Sequence, residues 1–248
     1  MTAALRAQAG ELPRTARASR TAMLTGLRPA ARTLVHRRWQ VDVHGADHVP
    51  AHGPVVLAAN HVGWLDGPLL AIVSPRPAHV LTKREMYAGA MGSFLHAAGQ
   101  IPLDRWRVDL GAVRQAVRVL EEGRVVGVFP EGARGDGSMQ LHRPGAAYLA
   151  LVSGAPVVPV AFLGTRLPGA SDDAVPPAGS RVAVTYGEPV HLPHLPWPRT
   201  TDEVARASQQ VRDAIVTTLR HAEEATGMTL PGPLGPPSTK SSTKKMRT

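Results

Sequence analysis

A histidine and an aspartate that could perform acid–base chemistry lie in one short polar segment after a run of apolar residues. Residues 60–66 read Asn-His-Val-Gly-Trp-Leu-Asp, so His61 and Asp66 are five positions apart. A turn of that length can bring the carboxylate to one ring nitrogen and leave the other nitrogen free. Asp66 would then fix the tautomer and stabilise the imidazolium, which would allow His61 to act as a general base. Histidine–aspartate pairs are also common as purely structural contacts, and that alternative stays open.

A second polar segment, residues 129–134, follows another apolar run and reads Phe-Pro-Glu-Gly-Ala-Arg. A carboxylate at Glu131 needs a partner, and Arg134 is near enough in the chain to supply one. Gly132 allows a strained turn or a close approach of the backbone. The Arg134 guanidinium could instead bind a phosphate through two parallel hydrogen bonds. The segment is therefore either an anion-binding turn or a structural Glu–Arg pair.

Two further cationic side chains lie between these segments. Lys83 is the only lysine outside the last nine residues of the chain, although the chain holds 24 arginines. Arg105 ends the segment 99–105, which reads Gly-Gln-Ile-Pro-Leu-Asp-Arg. Both side chains could bind an anion, and chance is a sufficient alternative for the isolated lysine.

The elements that would position these residues alternate between strands and helices. Strands are predicted at 41–43, 55–59, 80–82, 101–103, 125–129, 157–162 and 181–186, and helices at 109–122, at 146–152 and from 200 to about 225. This alternation predicts an α/β fold with a mainly parallel sheet covered by helices on both faces. Ligands of such sheets collect beyond the carboxyl ends of the strands. The polar segments after 55–59 and 125–129 are therefore expected to meet there.

The charge of the chain is concentrated in its ends. The formal charge is +9, but residues 1–38 hold eight arginines and one acid, while residues 39–231 carry more acids than bases. A basic total usually indicates nucleic acid or an anionic membrane. Because the basic charge lies in the ends and few aromatic residues are present for base stacking, we expect no nucleic-acid partner. We predict a basic helical arm (1–38), a catalytic domain (39–229) and a disordered basic tail (230–248).

The arm and the longest uncharged run both bear on membrane contact. Residues 20–39 have the composition of a basic amphipathic helix at a membrane interface, or of a helix packed on its own domain. Residues 144–165 carry no charge, but glycines and prolines interrupt them, so we predict no transmembrane helix.

Cysteine is absent, and His44, His48 and His52 lie in a loop rich in turn residues, so no metal site is expected.

Four blocks in order resemble the phospholipid and glycerol acyltransferase family, which includes the 1-acylglycerol-3-phosphate acyltransferases. The blocks are residues 60–66, 99–105, 129–134 and 155–160, and the likeness spans about residues 39–190. One block could arise by chance, whereas four in order with suitable spacing are specific. The resemblance implies a glycerolipid-acyltransferase-like fold. It also implies transfer of a fatty acyl group from acyl-CoA or acyl-carrier protein to the free hydroxyl of a lysophosphatidic acid-type acceptor.

The resemblance also implies roles for the residues singled out above. His61 would be the general base and Asp66 would orient it, while acceptor and phosphate would be bound by a larger group: Arg105, Glu131, Gly132, Arg134, Lys83 and Asn60. No cofactor beyond the acyl donor is implied. The enzyme would act as a peripheral protein on an anionic membrane, at the cytoplasmic face. Acylation of glycerol 3-phosphate or of another lyso-lipid, and thioester hydrolysis, remain alternatives.

The sequence departs from the family pattern at two positions. Ala133 stands where the family usually has threonine, so a hydroxyl contact is absent there. Pro102 stands where a larger apolar residue is common. Both departures bear on the choice of acceptor or acyl chain more than on the chemistry.

Overall fold

Seven strands form one sheet in the computed structural model, which describes residues 22–195 and 199–235. In chain order the strands are β1 (Gln40–His44), β2 (Val55–Ala59), β3 (Ala78–Lys83), β4 (Ile101–Leu103), β5 (Val125–Val128), β6 (Val157–Leu163) and β7 (Arg181–Tyr186). The spatial order is β1-β7-β6-β2-β5-β3-β4. All neighbours are parallel except β6 and β7. The predicted α/β class with a mainly parallel sheet is confirmed.

Helices cover both faces of this sheet. They are α1 (Ala22–Arg38), α2 (Asp66–Val73), α3 (Gly89–Ala97), α4 (Leu110–Glu121), α5 (Gly145–Ser153) and α6 (Thr201–Thr226). One buried apolar cluster joins the sheet to α4, α5 and α6, and a second joins the opposite face to α1 and α2. Every residue of β2 and β6 is buried because these strands are central and covered on both sides.

Local signals in the sequence explain where two of the helices begin and end. The Asp109 carboxylate accepts the backbone N–H of Ala112 at 3.0 Å, which caps the start of α4. Thr200 and Glu203 form a reciprocal capping box at the start of α6. Gly227, with a φ of 66°, ends that helix because its left-handed conformation favours glycine.

Helix α1, the described part of the basic arm, packs on the domain. Leu24 and Val35 are buried, whereas Leu27 and Leu34 are largely exposed. Arg28 donates hydrogen bonds to the carbonyls at the end of α2, which fixes the helix against that element. The packed alternative therefore holds for α1, and residues 1–21 lie outside the described residues.

The C-terminal segment differs from its prediction. Disorder was predicted from Leu230 onward, but residues 230–235 are described and lie against the domain. The backbone N–H of Leu230 donates to Glu223, and that of Gly235 donates to the carbonyl of Ala170. The predicted boundary is corrected for these six residues, while residues 236–248 lie outside the described ranges. Within the described ranges, no helix is long and apolar enough to cross a membrane.

Candidate active site

The two polar segments meet at one edge of the sheet. Strands β2 and β5 are parallel neighbours, with Ala58 opposite Val128, so the loops after them lie side by side. The backbone N–H of Gly135 donates to the carbonyl of His61 at 2.9 Å, which joins the two loops directly. The expected meeting of the segments at the carboxyl ends of the strands is confirmed.

The His61–Asp66 pair forms as the spacing predicted. Nδ1 of His61 lies 2.8 Å from Oδ2 of Asp66, which opens helix α2 and is fully buried. The same oxygen accepts the backbone N–H groups of Val62 and Gly63 at 2.8 and 2.9 Å. With its proton on Nδ1 toward the carboxylate, the imidazole keeps the Nε2 lone pair as a proton acceptor.

The imidazole is fixed on its ring face as well as at its edge. The ring of Phe129 stacks on His61 with centroids 4.1 Å apart and planes inclined by 22°. The His61 side chain nevertheless keeps 17% of its surface exposed, and it lines a cavity. The histidine is thus both rigidly held and reachable by a ligand.

The Glu131–Gly132 turn supports the backbone of His61. Oε1 of Glu131 lies 3.4 Å from the N–H of His61, which is a long hydrogen bond. Gly132 has a φ of 72°, and a Cβ there would lie 2.7 Å from Nε of Arg143, so other side chains would be strained. Burial raises the pKa of Glu131 to about 8, with added repulsion from the carboxylates of Asp136 and Asp66. Its carboxyl group is therefore mostly neutral at pH 7.

The structural alternative for this segment, an ion pair between Glu131 and Arg134, does not form. Nη1 of Arg134 donates to the carbonyl of Asp172 at 3.0 Å and lies 3.6 Å from its carboxylate. Asp172 is a member of the site that sequence reasoning missed. It lies 38 positions away in a loop, where no local pattern marks it.

Four cationic side chains line the cavity with His61. Arg28 donates to the carbonyls at the end of α2, and the other three are Lys83, Arg105 and Arg134. Burial lowers the pKa of Lys83, and repulsion from Arg134 and Arg105 lowers it further, so the three charges are close. Arg105 binds the carbonyl of Gly132 at 3.3 Å, and its Nε is buried without a hydrogen-bond partner among the described residues. This arrangement can hold an anion such as a phosphate.

Most of the remaining lining of the cavity is apolar. The whole cavity encloses about 530 Å³, and its apolar lining includes Met23, Leu27, Ile72, Met91, Phe94 and Phe129. These residues come from α1, α2, α3 and the loop after β5, so three helices close the cavity against the sheet. A volume of this size with polar groups at one side fits an amphiphilic ligand.

Asn60 has partners other than those expected of a substrate-binding residue. Its side-chain N–H₂ donates to the carbonyl of Phe162 at 3.1 Å, and its oxygen accepts the N–H of the same residue at 2.7 Å. Asn60 is fully buried and holds the end of β2 to β6. Its amide therefore supports the loop that carries His61, on the side of β6.

Comparisons with known proteins agree with this geometry. A family model described as Acyltransferase matches residues 40–163. The chain is 30% identical over 172 residues to the 1-acyl-sn-glycerol-3-phosphate acyltransferase of Bacillus subtilis, covering 67% of this chain and 83% of that protein. It is 38% identical over 128 residues to the alpha enzyme of that name from Ovis aries, covering 49% and 44%.

A solved structure shares the fold. The 1-acyl-sn-glycerophosphate acyltransferase PlsC of Thermotoga maritima superposes with a TM-score of 0.61 at 24% identity, covering 82% of this chain and 79% of that one. The four sequence blocks, the family match and the relative from Bacillus subtilis all lead to one assignment. The chain belongs to the acyltransferase family.

Proposed function

We propose that this acyltransferase moves a fatty acyl group from acyl-CoA or acyl-carrier protein to the free hydroxyl of 1-acylglycerol 3-phosphate, in phospholipid synthesis. The observation that carries the proposal is the composition of one cavity. It contains the oriented imidazole of His61, the cationic group formed by Lys83, Arg105 and Arg134, and a long apolar lining. The names of the relatives from Bacillus subtilis and Ovis aries support the same acceptor.

In the proposed reaction, Nε2 of His61 takes the proton of the acceptor hydroxyl as its oxygen attacks the thioester carbonyl carbon. The carbon–sulfur bond then breaks, and the thiolate leaves with the proton that His61 held. Asp66 stabilises the imidazolium between these two steps, and its two backbone hydrogen bonds keep its carboxylate in place. General-base assistance of this kind typically contributes about 10²–10⁴-fold.

The acceptor phosphate would bind Arg105 and Arg134, with Lys83 as a further cation. Charge-assisted hydrogen bonds to arginine can be bidentate, which fixes orientation as well as affinity. A mostly neutral Glu131 adds no negative charge to the turn that carries Arg134, whose guanidinium already lies beside the carboxylate of Asp172. Gly132 would let the backbone of the turn approach the acceptor, and Asn60 is now proposed to position the His61 loop rather than to touch substrate.

The apolar part of the cavity would hold the acyl chain of a substrate. Each methylene group transferred from water to such a lining contributes about 0.8 kcal/mol. The chain would enter between α1 and α3, whose side chains Leu27 and Phe94 line the cavity and are about half exposed. This opening is where an acyl chain could be exchanged with a membrane.

We further propose that the enzyme is peripheral and works on an anionic membrane at its cytoplasmic face, where both acyl donors are found. Large apolar side chains are exposed near the site, among them Trp106 at 83% and Leu141 at 83%. Arg143 donates to the carbonyl of Arg105, which places these two loops together. Aromatic and basic residues together are typical of surfaces that enter the headgroup region.

The test is mass spectrometry of lipids after incubation of the purified protein with acyl-CoA and acyl-carrier-protein donors and a set of acceptors. We expect transfer to 1-acylglycerol 3-phosphate that depends on His61. Preferred transfer to glycerol 3-phosphate or another lyso-lipid would change the acceptor and keep the chemistry. Free fatty acid released at one rate with and without acceptor would instead identify a thioester hydrolase.

A further inference from the structure

Arg166 is a buried arginine behind the His61–Asp66 pair, just after β6. It is 1% exposed, and all five of its N–H groups donate to backbone carbonyls. None of these acceptors is a carboxylate. Taking a cation out of water without a carboxylate bound directly to it is costly, so the arrangement calls for a reason beyond stability.

Two of the five carbonyls belong to the loops that hold His61. Nε of Arg166 donates to Val62 at 2.8 Å, and Nη2 donates to Gly135 at 3.1 Å. The N–H of Val62 in turn donates to Asp66, and the N–H of Gly135 donates to the carbonyl of His61. Arg166 therefore holds two residues whose own backbone N–H groups bind the pair, Val62 for Asp66 and Gly135 for His61.

The packing around this arrangement is close. A Cβ on Gly63 would lie 2.7 Å from the carbonyl oxygen of Thr165 and 3.3 Å from Cβ of Arg166. The loop that follows His61 thus rests directly on residues 165 and 166. A shift of the Arg166 guanidinium would be transmitted to that loop because no free space separates them.

The C-terminal segment, residues 230–235, supplies two more of the acceptors. Nη2 of Arg166 donates to Gly232 at 2.5 Å and Nη1 to Pro233 at 3.2 Å. The remaining bond, from Nη1 to Ala170 at 3.0 Å, lies beside the bond from the N–H of Gly235 to the same carbonyl. The C-terminal segment closes the guanidinium off from water.

We propose that Arg166 is a positioning residue for the His61–Asp66 pair, held in place by the C-terminal segment. The inference rests on the proposed role of His61 as general base. A lysine could not replace this residue, because it has three rotatable donors on one atom in place of five in a planar fork. The charge of Arg166 faces the carboxylates of Asp66, Asp136 and Asp172, which offset part of its burial.

The test compares Arg166→Lys with Arg76→Lys in the full-length protein. Arg76 is a matched control, since it donates to three backbone carbonyls, those of Pro50, Gly53 and Gly123. These carbonyls lie before β2 and β5, at the ends of the strands away from His61. Arg166→Lys should lower kcat about 10- to 100-fold and leave the KM values for acceptor and donor within about twofold. Arg76→Lys should leave kcat unchanged, although it loses a comparable set of hydrogen bonds.

A second variant tests whether the C-terminal segment holds Arg166 in place. A Cβ on Gly235 would lie 1.8 Å from the carbonyl oxygen of Gly169, so Gly235→Ala must displace the segment. We expect kcat to fall about 3- to 10-fold without a change in KM. The NMR resonance of the His61 Nδ1–H proton, identified by its loss in His61→Gln, should broaden in both variants and stay sharp in Arg76→Lys.

Two outcomes would overturn the positioning role of Arg166, and a third would overturn the proposed mechanism. Wild-type kcat in folded Arg166→Lys would overturn the positioning role. If Arg166→Lys does not fold, wild-type kcat and a sharp His61 resonance in Gly235→Ala would overturn it instead. Full activity in His61→Gln would refute the proposed mechanism, whatever the Arg166 variants do.

Discussion

Glu131→Gln should be more stable than the wild type, by an amount that grows as pH rises. The carboxyl group is largely buried beside Asp66 and Asp136, and burial raises its pKa from the ordinary 4.5 to about 8. Between these values the folded protein keeps a proton at Glu131 that the unfolded chain has released. The stabilising effect of this proton is complete below about pH 4.5 and is lost as pH rises toward about 8.

The magnitude follows from the two pKa values. One proton held by the folded state alone makes the free energy of unfolding fall by up to about 1.4 kcal/mol per pH unit. From about pH 5 to about pH 7.5 the wild type should lose up to about 3 kcal/mol through this group. Glu131→Gln cannot ionise, and its amide oxygen can still accept the N–H of His61, so its curve should lack this decline.

The assay is urea unfolding of wild type and Glu131→Gln at several pH values from about 5 to about 8. The stability difference should grow in favour of the variant as pH rises. Glu121→Gln, at an exposed position at the end of α4, is the matched control and should follow the wild type. Parallel curves for Glu131→Gln and wild type would refute the reasoning, because they would mean that the buried carboxyl is already ionised at neutral pH.

Three other substitutions test the site and its surface. Asp66→Asn would leave Nδ1 of His61 without its carboxylate partner, and kcat should fall about 10²–10⁴-fold with the acceptor KM little changed, as steady-state kinetics can show. Arg134→Ala removes a charged donor worth about 1.5–3 kcal/mol, so the acceptor KM should rise about 10- to 100-fold while the donor KM stays constant. Trp106→Ser should reduce sedimentation with anionic vesicles and leave transfer to a detergent-dispersed acceptor intact; unchanged sedimentation would argue against membrane contact by this loop.

The sequence predicted those parts of the site that depend on local spacing. His61 and Asp66 lie five positions apart across a turn, so the short connection itself limits where the carboxylate can go. The meeting of the two polar loops was predictable because β2 and β5 are buried parallel strands whose carboxyl ends share an edge. Capping of α4 and α6 was likewise readable from a few adjacent residues.

Long-range polar contacts were not predictable in this way. Glu131 was the partner that sequence proximity offered for Arg134, as one of two alternatives, but the partner in the structure is Asp172, which comes from a distant loop. No sequence motif marks Arg166, because its hydrogen-bond acceptors are backbone carbonyls. Every residue has a backbone carbonyl, so such contacts leave no pattern of side-chain types. Composition also predicted disorder for residues 230–235. The buried guanidinium of Arg166 donates hydrogen bonds to this segment, and composition alone cannot predict such a contact.

The role of His61 as the general base is tested by the single-turnover rate of acyl transfer to 1-acylglycerol 3-phosphate, measured for wild type, His61→Gln and His221→Gln. His221 is exposed on α6 and serves as the matched control. We expect a rate about 10²–10⁴-fold lower for His61→Gln and a wild-type rate for His221→Gln, with acceptor binding retained in both. A wild-type rate in His61→Gln would contradict the assignment of His61 as the general base.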